Sequence, residues 1–301
     1  MKSFTIIFFL FISATFTISI AQTKISEPIL KMGLIADIQY GDCVTNGSRF
    51  YRNSINKLRE AVKDINDNNV HFTVNLGDFT DRNLADLDVV MAELGMLNAN
   101  MYSVTGNHDY VGVKDNQVLY NKLFLPSDYY SLGFPRLGIQ FLFLNSNDIS
   151  SYSNVLDVDK QVELETIKAK LKAENRKNNY SWNGALSKEQ LNWLENKLKL
   201  AHDENVRIVI CMHHPLYPDN NHNALNDREI LEVIGKYDCV KAVLSGHNHA
   251  GNFAYYKGIP FITVEGMIET EADNAYGIVE IFKDKMVVKG RGRVTSRKID
   301  F

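Results

Sequence analysis

Apolar runs of strand length alternate with amphipathic segments along the first two thirds of the chain. The apolar runs predict buried strands at 30–37, 71–78, 101–109, 138–148, 207–215 and 239–249. Apolar residues at helical spacing predict helices over 50–67, about 84–97, about 158–175, 187–203, and a segment that carries Ile230, Val233 and Ile234. Short strands and turns dominate after residue 253, with FITVEG and YGIVEIF the clearest. This order predicts a layered α/β protein with a mixed sheet or sheets.

Two local signals refine this organisation. Ser187 and Gln190 form a capping box at the start of helix 187–203. Asn226 is the expected cap of the next helix, which carries Ile230, Val233 and Ile234. The segment 149–186 is polar, with many Asn, Lys and Glu, and we expect it to insert over one edge of the core. Without repeats or a low-complexity linker, residues 28–301 are predicted to form one catalytic domain.

The first 21 residues have the pattern of a signal peptide. Lys2 precedes a short apolar run, and the small residues Ser19 and Ala21 occupy the −3 and −1 positions of a cut before Gln22. A membrane anchor is the alternative, but the run is short for a span and is interrupted by serine and threonine. We therefore expect a secreted or periplasmic protein, with no stable membrane insertion after cleavage.

Composition narrows the function classes. The chain has 301 residues, of which 45% are hydrophobic, and its formal net charge is −3. This is unlike a basic nucleic-acid-binding protein or a disordered acidic chain, so a small-molecule partner is expected and a nucleic acid is not. Three cysteines give no disulfide framework.

Five apolar strands end in oxygen or nitrogen donors. These endings are Asp37-Ile38-Gln39, Gly77-Asp78, Gly106-Asn107-His108-Asp109, His213-His214-Pro215 and Gly246-His247-Asn248-His249. Because sites in α/β sheets form at the carboxyl ends of strands, the five endings are expected to meet at one edge. Carboxylate, amide and imidazole donors without thiolate favour manganese, iron or zinc.

Each ending alone has a structural explanation. Gly77-Asp78 is a common turn sequence, Asn107 is a typical turn residue, and His213 or His214 alone would more often be a buried, hydrogen-bonded histidine. The conjunction favours a metal centre, because five of the eight histidines fall within these endings. We interpret two of the others, His71 and His202, as structural or surface residues.

The ordered series D-x-Q, GDFTDR, GNHD, HHP and GHNH resembles the calcineurin-like metallophosphoesterase superfamily over roughly 250 residues. Gln39 stands where that superfamily usually has histidine, which is similar to the manganese-dependent ADP-ribose/CDP-alcohol diphosphatase branch. The segments GSRFYRNSINKLREAV, LPSDYYS, WNGALSKEQLNWLE and HHPLYP also look like that branch.

The resemblance implies a fold, two cations and a reaction. The fold would be a metallo-dependent phosphatase-like α/β/β/α sandwich, with two mixed sheets flanked by helices. Asp78 would bridge two divalent ions, manganese first with iron or zinc as alternatives. The first ion would take Asp37, Gln39 and His249, and the second Asn107, His213 and His247. A bridging hydroxide would then attack the pyrophosphate bond of a nucleoside diphosphate compound, such as ADP-ribose or a CDP-alcohol.

Three further residues receive roles with stated alternatives. His108 would protonate the leaving oxygen or stabilise transition-state charge. Asp81 would orient His108, or else serve a turn or an ion pair with Arg82. Arg49 would contact a second phosphate or a ribose, or else be a surface arginine.

Two rival functions stay open at the level of the sequence. One is a phosphomonoesterase or cyclic-nucleotide phosphodiesterase on the same scaffold. The other is a non-catalytic binding module, which predicts missing ligands.

Overall fold

The computed structural model describes Met1 and residues 27–153 and 157–301, so the predicted signal segment, Met1 apart, lies outside the described residues. Within the described ranges there are twelve strands: β1 (Leu30–Ile35), β2 (Phe72–Asn75), β3 (Met101–Ser103), β4 (Tyr130–Phe134), β5 (Ile139–Phe143), β6 (Arg207–Cys211), β7 (Val240–Ser245), β8 (Asn252–Tyr256), β9 (Ile259–Thr263), β10 (Ala275–Ile281), β11 (Lys285–Gly292) and β12 (Arg297–Asp300).

Six α-helices accompany these strands in the same ranges: α1 (Ser54–Asp67), α2 (Leu87–Leu94), α3 (Asn116–Lys122), α4 (Val158–Ala173), α5 (Lys188–Asp203) and α6 (Asp227–Ile234). None of these helices combines the length and the apolar character that crossing a bilayer requires.

The strands form two mixed sheets of six strands each. The first sheet has the order β12-β11-β10-β1-β2-β3, in which β1, β2 and β3 are parallel and the others are antiparallel. The second has the order β4-β5-β6-β7-β9-β8, with antiparallel pairs only at its two edges. The predicted mixed sheets are therefore confirmed.

Alternation along the strands produces four layers. In β6, Val209 and Cys211 belong to the core between the sheets, while Ile208 and Ile210 pack with the buried faces of α5 and α6. A third apolar cluster joins α1 and α2 to the opposite face of the first sheet. The architecture is thus the α/β/β/α sandwich that the resemblance implies.

Several element boundaries differ from the sequence prediction. Helix α2 is shorter than the predicted 84–97, because a single 3₁₀ turn occupies Leu84–Asp86. Neither α3 nor β4 is predicted by the sequence pattern. Ser187 caps α5 as predicted, accepting a hydrogen bond from the backbone of Gln190. Asn226 precedes α6, but its side-chain amide pairs with the backbone of Leu186 instead of capping the helix.

The polar insertion 149–186 packs against the segment that follows β6. Arg176 is almost fully buried and donates to the carboxylate of Asp227 at 2.8 Å and to Asp219 at 3.1 Å. An isolated bridge between Ile149 and Ala185 closes the base of the insertion. The insertion therefore carries its last residues to the strand ends where the donor motifs lie, and does not merely cover a sheet edge.

Candidate metal centre at the strand ends

The predicted donors converge where the parallel strands end. Asp37, Asp78 and His249 offer ligand atoms that lie within 4.8 Å of one another, and so do Asp78, His213 and His247. Asp78 belongs to both groups and is fully buried. Two adjacent donor groups that share one carboxylate suit a pair of cations.

The two amide residues complete these groups. Gln39 Nε2 donates to Asp78 Oδ2 at 2.8 Å and lies 3.2 Å from His249 Nε2. Asn107 Oδ1 lies 3.2 Å from His213 Nε2. Gln39 Oε1 is buried without a hydrogen-bond partner anywhere in the described ranges, which is costly for an amide oxygen unless a cation takes it. All seven residues that the sequence nominated as ligands are therefore together.

Four of these residues have backbone conformations that side chains rarely adopt. The φ angle is 52° at Asp37, 43° at Gln39, 57° at Asp78 and 66° at His247. The left-handed region is unfavourable for residues other than glycine, and such conformations persist where the surrounding structure enforces them. Their concentration in one donor cluster is typical of a functional site.

Asp109 joins the loop that follows β2 to the loop that follows β3. Its carboxylate accepts backbone hydrogen bonds from Asp78, Phe79, Thr80 and Gly106, at 2.7–3.2 Å. At Gly106 a Cβ atom would lie 2.0 Å from Asp78 Oδ1, so only glycine fits there. The sequence motif contained Asp109, but nothing in the sequence assigned it this role.

Two of the histidines are oriented by an acceptor on their far side. His213 Nδ1–H donates to the carbonyl oxygen of Leu76 at 2.8 Å, and His249 Nδ1–H donates to Glu269 Oε1 at 2.7 Å. Because both acceptors fix the proton on Nδ1, each ring presents Nε2 to the donor cluster. A carboxylate or carbonyl behind the ring is the usual arrangement of metal-binding histidines.

His247 is oriented in the opposite sense by the insertion. Its Nε2–H donates to Asn183 Oδ1 at 3.0 Å, which leaves Nδ1 as the lone-pair nitrogen. The amide nitrogen of Asn183 in turn donates to the carbonyls of Asn178 and Asn221, at 2.9 and 2.8 Å. Sequence reasoning missed Asn183 and Glu269, because neither lies in a motif of ligand-type residues at a strand end.

His214 differs from its neighbour His213 although both are buried. Its ring accepts from the hydroxyl of Ser146 at 2.8 Å and donates to the carbonyl of Trp182 at 3.1 Å. Burial is the main reason that the pKa of His214 is lowered to about 3, and the charge of His213 is the second reason. With both ring nitrogens occupied, His214 is a structural residue.

The charged pairs at the site have pKa values shifted in opposite directions. Burial opposes charge on His213, but the carboxylate of Asp78 outweighs it and raises the pKa of His213 to about 9. Burial likewise favours neutral Asp78, but His213 and His108 hold its pKa below the usual range. The hydrogen bond from His249 lowers the pKa of Glu269 to about 2. Asp78 and Glu269 are therefore ionised at neutral pH, which suits cation binding.

His108 lies beside the donor cluster with its ring tied to Asp81. The backbone N–H of His108 donates to Asp78 Oδ1 at 2.8 Å. His108 Nδ1 is 3.0 Å from the carbonyl oxygen of Asp81 and 3.2 Å from its Oδ1. The other oxygen of Asp81 accepts from Arg82 at 3.0 Å, so Asp81 makes both contacts that the sequence left as alternatives.

A cavity of about 400 Å³ opens over the cluster, and its wall includes Gln39, Arg49, Asn107, His108, Trp182, His222, His247 and His249. The guanidinium of Arg49 lies 3.9 Å from Asp81 Oδ1 and 4.0 Å from Glu269 Oε1. Arg49 therefore stands at the cavity and not on a remote surface. Trp182 and His222 line the same space, and neither was nominated as a site residue, although Trp182 begins the segment WNGALSKEQLNWLE.

The chain is similar to known phosphoesterases. A sequence profile of the calcineurin-like phosphoesterase family matches residues 30–251. Proteins named manganese-dependent ADP-ribose/CDP-alcohol diphosphatase, from human and mouse, are 30% and 31% identical to this chain. They align with 93% and 92% of it, and with 95% and 94% of their own lengths.

A crystal structure of a dimetal phosphatase from Danio rerio superposes with a TM-score of 0.82 at 28% identity, covering 91% of this chain and all of that one. The family profile spans most of the chain, and the human relative aligns over nearly its whole length. The chain belongs to the calcineurin-like phosphoesterase family.

Proposed function

We propose that this protein hydrolyses the pyrophosphate bond of nucleoside diphosphate compounds such as ADP-ribose and CDP-alcohols. The observation that carries the proposal is the shared position of Asp78 between two donor groups. The names of the human and mouse relatives supply the substrate class and manganese. Iron and zinc are the alternative metals, because carboxylate, amide and imidazole donors suit them as well.

The residues present fit two divalent cations. One cation would take Asp37, Gln39 and His249, the other would take Asn107, His213 and His247, and Asp78 would serve both. The unpartnered Gln39 Oε1 and the three oriented imidazoles support this division. Bound cations would supply Lewis acidity, which lowers the pKa of a water and neutralises charge on the phosphoryl oxygens.

His108 is placed to handle the proton of the leaving group. Its Nδ1 proton is held by Asp81, so Nε2 is the nitrogen that can face a leaving oxygen. The backbone carbonyl of Asp81 accepts from the ring at 3.0 Å and its Oδ1 lies 3.2 Å away, which makes Asp81 a positioning residue. Arg49 can offer two N–H groups to a phosphoryl oxygen from the cavity wall.

The aromatic wall of the cavity favours a nucleotide over a simple monoester. Trp182 is 39% exposed, and its ring stacks on that of Tyr180 with centroids 4.2 Å apart. A supported indole at the edge of a phosphoryl site suits the base or ribose of a nucleotide. A non-catalytic binding module predicts missing ligands, whereas all seven proposed ligands and His108 are in place.

A substrate panel tests the reaction. With added manganese, the protein should hydrolyse ADP-ribose and CDP-choline to nucleoside monophosphates, and should turn over p-nitrophenyl phosphate and cyclic nucleotides far more slowly. The Asp78→Asn variant, which loses the shared carboxylate, should be inactive on every substrate. Good monoester turnover without hydrolysis of any diphosphate would contradict the substrate assignment.

The Glu269→Gln variant tests the metal assignment without relying on catalysis. Removing the charge behind His249 should weaken manganese binding about 10- to 100-fold, measured by calorimetry, with the circular dichroism spectrum unchanged. Glu280→Gln is the matched control. Glu280 lies on strand β10 and pairs with Lys289 of the neighbouring strand β11, not with a histidine of the site. Equal manganese affinity in the two variants would argue against His249 as a ligand.

We also propose that the enzyme is exported. The support is the sequence of residues 1–21 alone, with its charged start, apolar run and small residues before Gln22. Amino-terminal sequencing of the protein from an expressing culture should give Gln22 as the first residue, in the secreted or periplasmic fraction. A chain that retains Met1 and stays inside the cell would contradict export.

A further inference from the structure

His222 lines the catalytic cavity but belongs to neither donor group. Its ring lies across that of His247, with the centroids 5.4 Å apart. In the part of the chain that the structure describes, no protein group forms a hydrogen bond with either ring nitrogen, whereas the other cavity histidines all have such partners. The imidazole is therefore an unused hydrogen-bonding group on the wall of the site.

The loop that carries His222 is firmly held. The backbone N–H of His222 donates to Asn220 Oδ1 at 2.7 Å, and Asn220 donates to Asn223 at 2.6 Å. The buried Asn223 donates to the carbonyl of Leu216 at 2.8 Å. On the other side, the carbonyl of Asn221 accepts from Asn183, the residue that orients His247. These contacts fix the backbone on both sides of His222, so its side chain enters the cavity from a fixed point.

Arg49, the residue proposed above to contact a phosphoryl oxygen, lines the same cavity as His222. Gln39 and His249 of the first donor group line this cavity as well, so His222 shares the space with them and with the guanidinium. The cations would hold the phosphoryl group under attack. In a diphosphate, the next phosphoryl group is one bridging oxygen away and needs donors outside the metal ligands.

We propose that His222 donates a hydrogen bond to the phosphoryl group that is not attacked, together with Arg49, and so selects diphosphates over monoesters. The inference rests on the proposed function and names a residue for its substrate class. The contact needs no particular charge, because an imidazole carries at least one N–H in either protonation state. A monoester has no second phosphoryl group and gains nothing from His222.

Three variants test this contact, each with one substrate and three calorimetric ligands. His222→Ala removes the donor, His222→Gln keeps an N–H, and His202→Ala is the matched control, because His202 lies on the surface beside Asp238. For each variant we would measure kcat and KM with ADP-ribose and manganese. Calorimetry would give the affinities for manganese, for orthophosphate and for the non-hydrolysable α,β-methylene ADP.

In the His222→Ala variant, the KM for ADP-ribose and the Kd for α,β-methylene ADP should both rise about tenfold, as expected for loss of a hydrogen bond to a charged group. The kcat should change less than about threefold, because the contact is made equally before and during reaction. Manganese and orthophosphate affinities should be unchanged, His222→Gln should recover part of the loss, and His202→Ala should match the unmodified protein.

Unchanged affinity for α,β-methylene ADP in His222→Ala would overturn the inference, and so would an equal loss of orthophosphate or manganese binding. Failure of the proposed function has a different signature. In that case the unmodified protein would not cleave ADP-ribose or CDP-choline, while the His222-dependent affinity for α,β-methylene ADP would still establish the contact.

Discussion

The burial of two carboxylates in one small volume is the constraint from which the rest of the site follows. Asp37 and Asp78 are fully buried, and both have a carboxylate oxygen within 4.8 Å of a ring nitrogen of His249. A buried carboxylate is strongly unfavourable unless opposite charge and hydrogen bonds compensate for the lost hydration. The backbone N–H groups of His108 and His247 donate to these acids, and a pair of cations would supply the missing positive charge.

The sandwich positions the donor residues because strands of both sheets end beside the site. Each donor lies shortly after a strand, and left-handed backbone at Asp37, Gln39, Asp78 and His247 turns the chain sharply at those ends. Asp109 then joins two of the loops, and the insertion contributes Asn183 from outside the sheets. Contacts within the protein thus hold the donors in the geometry that cation binding needs.

Much of this molecule was predictable from sequence, for a local reason. The proposed ligands sit directly after apolar runs, so a strand and its donors are read together, as at Leu30–Ile35 and Asp37. The strand-helix alternation likewise indicated the layered α/β class. Element ends were less predictable. The segment 130–134, for example, is a strand because it pairs with β5, and that pairing depends on the folded sheet.

The residues that support the ligands were not predictable, because their roles arise from tertiary contacts. Glu269 reaches His249 across 20 positions of sequence, and Asn183 reaches His247 across 64. Neither has a neighbouring residue that marks it as a partner of a metal ligand. His222 is likewise placed by the network of asparagines around its loop, so only the folded chain shows that it enters the cavity.

Crystals grown with manganese would show whether two cations share the carboxylate of Asp78. Anomalous diffraction at the manganese edge should show two peaks, one beside Asp37, Gln39 and His249 and the other beside Asn107, His213 and His247, with Asp78 in contact with both. A single peak, or two peaks of which either lies away from Asp78, would contradict this account.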